Sequence, residues 1–306
     1  MPGSEIEQYL ESLRGSEPVS FAPNPGNAGD SLIAHATFQL FRKLGIEYRL
    51  FDPETSDPAG KVVVYGGGGN LVRYYDTARR VIQASHRAAK RLVLLPQTIE
   101  GNEDLLDELG RNVDIICREE VSYRHVRANA PRANVLLMHD MAFSLSVDRT
   151  LSEKPISLHH AIARKAMCKL GGDESWQPQL SPRTVLQSYR FGIMQSLERL
   201  RDPDRTLECF RTDVEKTGPA PRKNLDLSRI FAHGTSVEAL AAYSSYRLLK
   251  FMRHYREVRT NRLHLCIAGA LLGAKVKLFP NALYKCEAVY HFSMKDRFQN
   301  VEWMGG

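Results

Sequence analysis

No stretch of this 306-residue chain approaches about 18 uninterrupted apolar residues, so nothing in it reads as a membrane-spanning helix. The first residues, MPGSEIEQYLESLRG, lack the basic start and apolar core of a secretory leader, and none is expected. The cysteines are few and scattered: Cys117, Cys168, Cys209, Cys266 and Cys286, the closest pair 20 residues apart. That spacing offers neither a disulfide framework nor a CxxC metal site, and a reducing cytoplasm is the expected compartment. Internal repeats and low-complexity segments are missing too. So are the dinucleotide fingerprint GxGxxG, the phosphate loop GxxxxGK[ST], and any helix-turn-helix, zinc or RNP-type signature of a nucleic-acid binder.

What is present is an ordinary globular balance, 43% hydrophobic and 25% charged. The length suits two domains of about 150 residues or one large α/β domain. There are 42 Lys and Arg against 35 Asp and Glu, a net charge of +7 that favours anionic partners. Composition alone leaves nucleic acid, a membrane surface and small phosphorylated substrates equally open.

Periodicity supplies the organisation. A short amphipathic helix over 1–16 leads to a strand at 19–22, a turn over 24–30 and a helix over 31–44. Strands at 47–52, 61–65, 92–95, 113–117 and 134–139 then alternate with helices at 74–91, 103–109 and 120–128. This alternation predicts a doubly wound parallel sheet and a first domain ending near 148. Residues 149–204 read as a linker with a helical elaboration, including a helix over 181–201. From 205 onward strand–helix alternation returns, with strands at 206–212, 257–260 and 275–279, a short one at 230–232, and helices at 236–255 and 265–272. The longer helix is expected to be capped by Thr235 or Ser236.

Ligands of open parallel sheets bind at the carboxyl ends of the strands, where five specialised segments fall: PGNAGD, GGGGN, PQT, CREE and NRLH. Gly66 to Gly69 follow a buried strand; read as leading into a helix, they suit an anion or a sugar hydroxyl, or else a tight turn with close packing. Asp30 opens the first long helix, as its cap or as a base toward a hydroxyl. Arg262 can clamp a phosphate or carboxylate, and His264 can exchange protons near neutral pH; the alternative is an arginine in a turn and a structural histidine. Cations recur at Arg247, Lys250, Arg253, Arg256, Arg259 and Arg262. They read either as a solvated helix face or as a patch toward anionic lipid.

Seven segments in order resemble the polysaccharide pyruvyl transferase family: NAGDSLI (27–33), VVYGGGGNL (63–71), LLPQTI (94–99), IICREEVSY (115–123), HDMAFSL (139–145), CFRTDVE (209–215) and TNRLHLCIAGALLG (260–273). The family commonly reads TDRLH where this chain reads TNRLH, so Arg262 and His264 are kept and position 261 carries an amide in place of a carboxylate. The resemblance implies an α/β chain of two Rossmann-like domains facing a cleft, in a GT-B-like arrangement, the C-terminal one (205–306) carrying the donor site. It implies transfer of a pyruvyl group from phosphoenolpyruvate to two hydroxyls of a sugar, in a polysaccharide or its lipid-linked precursor, forming a cyclic ketal.

On that chemistry Arg262 and Arg118 hold phosphate and carboxylate, and His264 moves a proton or touches the donor. Asp30, Asn27, Gly67, Gly68, Gly69, Asn70 and Gln97 are candidates around the sugar and donor, and His139, Asp140 and His233 are second candidates for acid–base work. Neither a metal nor a cofactor is expected, since arginines carry the charge neutralisation. Nucleic acid is not an expected partner. Two rivals remain at this point: a GT-B glycosyltransferase using a nucleotide-sugar, and a non-catalytic basic module.

Overall fold

The computed structural model describes residues 4–15, 17–153 and 206–305. The helix expected over 181–201, and nearly all of the elaboration over 149–204, lie outside the described residues. By contact, the described chain falls into two compact units that interleave in sequence. One comprises residues 1–24, 36–145 and 284–297, the other 25–35, 146–283 and 298–306. Periodicity sees contiguous stretches, such as 1–148 and 205–306, and gives no sign of where a chain leaves one unit and returns to it.

The first unit carries a parallel sheet. Helix α1 (Ser4–Glu11) precedes β1 (Val19–Ala22), and α2 (Ala28–Leu44) leads to β2 (Tyr48–Leu50). Next come β3 (Val62–Tyr65), β4 (Gly68–Leu71), α3 (Thr77–Ser85), β5 (Arg91–Ile99) and α4 (Glu103–Glu108), then β6 (Val113–Cys117), α5 (Glu120–Asn129) and β7 (Asn134–Leu137). The strand order is β2-β1-β3-β5-β6-β7, with β4 paired to β5. The order reverses between β1 and β3, and such a switch point opens a crevice at the strands' carboxyl ends.

One side of the sheet packs Val63, Tyr65, Leu92, Leu94, Ile115 and Cys117 into a core with Ile82, Leu105, Leu106 and Val126 of the helices. Phe21 of β1 meets Phe38 and Phe41 of α2 edge-on, at ring separations of 5.3 and 5.2 Å. Helix α1 is tied down through Tyr9, whose hydroxyl donates to Asp114 at 2.5 Å, a carboxylate that also pairs with Arg91.

Two differences from the periodicity reading matter for the site. The glycine run does not enter a helix. Gly68–Leu71 is the strand β4, which pairs with the second half of β5 in the register Gly68↔Gln97 and Leu71↔Ile99, and helix α3 starts only at Thr77. Glycine's low strand propensity hides such an element. Gly66 is required by close approach, because a Cβ there would lie 2.5 Å from the Asn24 nitrogen. Likewise β5 does not stop before Pro96 but runs on to Ile99, the proline falling where the pairing with β6 slips between Leu94 and Gln97.

The second unit is built on a four-stranded parallel sheet in the order β11-β10-β9-β8. After α6 (Val147–Ser152) its described elements are β8 (Thr206–Cys209), α7 (Leu227–Ile230), α8 (Glu238–Met252), β9 (Glu257–Thr260), α9 (Leu263–Leu271), β10 (Lys275–Leu278) and β11 (Val301–Trp303); α10 (Lys285–Val289) belongs by contact to the first unit. The strand expected at 230–232 is absent: α7 ends at Ile230, an ambiguity built into short apolar runs. Helix α8 begins at Glu238, with Val237 rather than Thr235 or Ser236 at its cap position.

Candidate functional site

In the second unit, the first turn of α2 and the first turn of α9 lie against each other. Asn27 caps α2: its Oδ1 accepts from the Gly29 N–H at 2.8 Å, while Asp30 Oδ2 accepts from the Asn27 N–H at 2.8 Å. This is a reciprocal capping box, and it occupies the Asp30 carboxylate with the helix start. Gly29 is the contact point. A Cβ built there would sit 2.6 Å from His264 Nδ1 and 2.9 Å from His264 Cβ. The His264 imidazole therefore rests on bare backbone.

Arg262 stands at the N-cap position of α9, with its N–H donating to Thr260 Oγ1 at 3.0 Å. Its Nη2 donates to Asp213 Oδ2 at 3.0 Å and to Asp226 Oδ2 at 2.6 Å. Arg211 braces Asp213 as well, bonding it at 2.8 Å through Nε and pairing with Glu215 at 3.0 Å. Burial works to raise the Asp213 pKa, but hydrogen bonding and charge from Arg211, then the charge of Arg262, prevail and hold it at about 2. The guanidinium of Arg262 is thus fixed in direction, and its Nε is buried with no hydrogen-bond partner among the described residues. Asn261 Oδ1 accepts from the Arg211 N–H at 2.8 Å.

His233, also in this unit, is fully buried. It lies between Tyr243, 4.9 Å between ring centres, and Phe231, at 6.5 Å. Neither ring nitrogen has a hydrogen-bond partner among the described residues. Burial, helped by the charge of Arg247, lowers its pKa to about 4. The ring sits among the aromatic side chains of this unit.

A separate cluster occupies the carboxyl edge of the first unit's sheet. Asn24, which follows β1, accepts at Oδ1 from the Tyr65 hydroxyl and from Asn70 Nδ2, both at 2.7 Å. Gln97 donates through Nε2 to the Gly66 carbonyl at 2.9 Å, while its Oε1 is buried and unbonded among the described residues. Gly67, Gly68 and Gly69 are buried alongside. Arg118, 1% exposed, donates through Nε to Thr98 Oγ1 at 2.8 Å and through Nη1 to Asp140 Oδ2 at 2.7 Å.

The carboxylates next to Arg118 in sequence serve elsewhere. Glu119 caps α5 by accepting from the Ser122 N–H, and Glu120 is exposed. Burial raises the Glu119 pKa against the pull of Ser122 and Arg118. Asp140 is an ion-pair partner whose other oxygen accepts from the Ala142 N–H at 2.8 Å.

Arg297 donates to His139 Nε2, which fixes that nitrogen as the acceptor and leaves Nδ1–H to meet Ser293 Oγ at 2.9 Å. Burial, then the Arg297 charge, lowers the His139 pKa to about 4. At neutral pH the ring is uncharged, and both nitrogens are engaged.

Sequence reasoning missed Asn24, Arg211 and the acids Asp213 and Asp226 that orient Arg262. Asp213 stood within the quoted CFRTDVE, so the order of motifs carried a usable signal for it. Asn24 and Asp226 stood in no quoted motif.

The polysaccharide pyruvyl transferase family matches residues 27–280. A relative from Bacillus subtilis (strain 168), named "Putative pyruvyl transferase EpsO", is 25% identical over 309 aligned residues, covering 95% of this chain and 90% of the relative. A solved structure of an uncharacterized protein from Klebsiella pneumoniae subsp. pneumoniae NTUH-K2044 superposes with a TM-score of 0.74 at 26% identity, over 99% of this chain and 98% of that one. The chain belongs to the polysaccharide pyruvyl transferase family and is a transferase of pyruvyl groups.

Proposed function

We propose that the donor is phosphoenolpyruvate and that the product is a cyclic ketal on two hydroxyls of one sugar. The observation that carries this reading is the Arg262–His264 pair at the start of α9. It joins a guanidinium fixed by Asp213 and Asp226, with an unbonded buried Nε, to an imidazole seated on Gly29. A small, highly charged anion suits that guanidinium.

In the proposed sequence an acid protonates C3 of the donor, and C2 becomes an oxocarbenium-like electrophile. One sugar hydroxyl attacks C2 and loses its proton. Departure of phosphate regenerates the electrophile, and the neighbouring hydroxyl closes the ring. His264 serves proton transfer or contact with the donor, and Arg262 and Arg118 offset negative charge. Asn70, Gln97 and Asn27 are the candidates for hydroxyl contacts. No cofactor or metal enters this scheme, so turnover is expected to withstand EDTA; loss restored by one divalent ion would overturn the charge assignment.

The GT-B-like pairing of two Rossmann-like domains, a lipid-linked acceptor in exopolysaccharide synthesis, and work on the cytoplasmic side of the membrane belong to the same proposal. Lys250, Arg253 and Arg256 are exposed and support a peripheral contact with anionic lipid, whereas Arg259 is paired with Glu257. The deciding assay is phosphate release from phosphoenolpyruvate with candidate acceptors. Release coupled to an acceptor that gains a pyruvyl ketal supports the reading. Turnover of nucleotide-sugars without phosphoenolpyruvate would replace it by a glycosyltransferase.

A further inference from the structure

The first unit holds a cavity of about 320 Å³ lined by none of the candidate residues named above. One wall is the start of α5, and the other is α10 with the turn that follows it. Tyr284, on that second wall, places the cavity at the carboxyl edge of the sheet. Its hydroxyl donates to the Ile99 carbonyl, at the end of β5, at 3.0 Å and stands 3.2 Å from Ser122 Oγ. After α10 the chain widens into a π-helical turn over Tyr290–Met294, where the Lys295 N–H donates to the Tyr290 carbonyl at 2.9 Å. Such turns are rare and occur frequently at functional sites. This one brings His291 and Phe292 to the cavity. The half-buried Phe292 ring is held in place, its centre 4.8 Å from that of His139, while Ser293 in the same turn meets His139 Nδ1 at 2.9 Å.

The lining combines carbon surface with ionised groups. Phe292 and Ala288 supply apolar area, and Val121 adds an aliphatic side chain that is 40% exposed. Glu120 and Glu287 set two carboxylates against the single guanidinium of Arg124, which stands 3.7 Å from Glu120. That balance disfavours a phosphate or carboxylate ligand, and it is too polar for an acyl chain. A neutral sugar satisfies both parts: its C–H face lies on an aromatic ring, and its hydroxyls donate to carboxylates in strong charge-assisted bonds. The volume stands at the small end of small-molecule sites, about 300–1,000 Å³, which suits a short saccharide. We propose that this cavity binds a neutral sugar residue of the acceptor, adjoining the one that receives the pyruvyl group, with Phe292 as its stacking face and Glu287 as a hydroxyl acceptor. As a statement about the acceptor, this rests on the reading of the reaction given above.

The test is saturation-transfer difference NMR on the full chain with cellobiose, lactose and di-N-acetylchitobiose, and with glucose 6-phosphate as the anionic contrast. Wild type is compared with Glu287→Ala, Phe292→Leu and Ala288→Leu. Leu50→Ala is the control, an exposed position on β2 at the opposite edge of the sheet. Wild type is expected to bind at least one neutral disaccharide. Glu287→Ala removes a hydroxyl acceptor, Phe292→Leu removes the ring, and Ala288→Leu fills part of the cavity. Each is expected to weaken that disaccharide about tenfold or more, and Leu50→Ala to leave it unchanged. Glu287 is exposed, so its replacement keeps the fold and the comparison stands even where a core variant loses stability.

A wild type that binds none of the neutral disaccharides would overturn the proposal, and so would equal affinities in wild type and the cavity variants. Preference for glucose 6-phosphate over the neutral sugars would overturn the charge argument and the proposal with it. The donor reading fails separately. A chain that binds a disaccharide through Glu287 and Phe292, yet releases no phosphate from phosphoenolpyruvate with any acceptor, keeps this subsite and loses that donor.

Discussion

Gly29→Ala is the smallest change that should disable His264 without touching it. The new methyl would meet His264 Nδ1 at 2.6 Å, His264 Cβ at 2.9 Å and Asn27 Oδ1 at 3.0 Å. Ordinary carbon contacts lie at about 3.5–4.0 Å, so roughly 1 Å must open between the two helix starts. A rotamer change could move Nδ1, but the clash with Cβ can be relieved only by shifting backbone of α2 or α9. Two terms oppose each other in stability. Alanine is favoured over glycine in a helix interior by about 1 kcal/mol, and overpacking costs about 1–3 kcal/mol. The net effect should be a loss of up to about 2 kcal/mol, a fall of a few degrees in melting temperature.

Activity should respond far more than stability. A displacement of about 1 Å at a reacting group costs on the order of 100-fold in rate. The assay is kcat/KM for phosphate release, read beside a thermal melt. Gly15→Ala is the control, its added Cβ meeting nothing closer than 4.0 Å. Wild-type kcat/KM in Gly29→Ala would refute the reasoning, since the imidazole would then not need its seat on the glycine. In a Gly29→Ala, His264→Ala double variant no further loss is expected beyond that of His264→Ala alone.

Arg262→Lys should nearly abolish transfer, because one ammonium cannot reproduce a fork held by Asp213 and Asp226; a folded variant with wild-type turnover would remove Arg262 from the donor site. Stability should fall as pH drops from about 6.5 toward 4. His139 and His233 have folded pKa values lowered to about 4, so over that window the unfolded chain takes up protons that the folded chain refuses. Urea melts at pH 7.5 and pH 5 measure the difference, His233→Phe should lessen it, and pH-independent melts would contradict it. Flotation with anionic vesicles should show binding at low salt that is lost at high salt, and no binding at low salt ends the membrane contact.

Much of the first unit was legible because buried parallel strands are short apolar runs: VSFA, VVVY and VDIIC fall as strands where periodicity puts them. The places where it failed are those where the chain is handled by backbone contacts. Gly68–Leu71 forms a strand with little apolar content, visible only from its pairing with β5. Helix α2 starts at Ala28, inside the stretch read as a turn, because Asn27 and Asp30 close a capping box whose two halves each look like loop residues. NAGD stands out in the sequence, while the structure it forms, a helix cap seated against a histidine more than 230 residues away, is a tertiary fact.

The same division explains the candidate residues. Arg262 and His264 stand out as candidates in the sequence because an arginine and a histidine lie two residues apart at a strand end. Their environment does not: the acids that orient Arg262 lie 36 and 49 residues away, on either side of a loop whose sequence shows only scattered charge. Arg118 shows how neighbours in sequence mislead. Glu119 and Glu120 adjoin it, yet the ion pair is with Asp140, 22 residues on, because adjacent side chains at a strand-to-helix turn leave in different directions. A single sequence displays the groups that can do chemistry, but the partners that fix their charge and direction come from segments it holds far apart. Mutations at those partners, rather than at the conspicuous residues alone, therefore test the site most sharply.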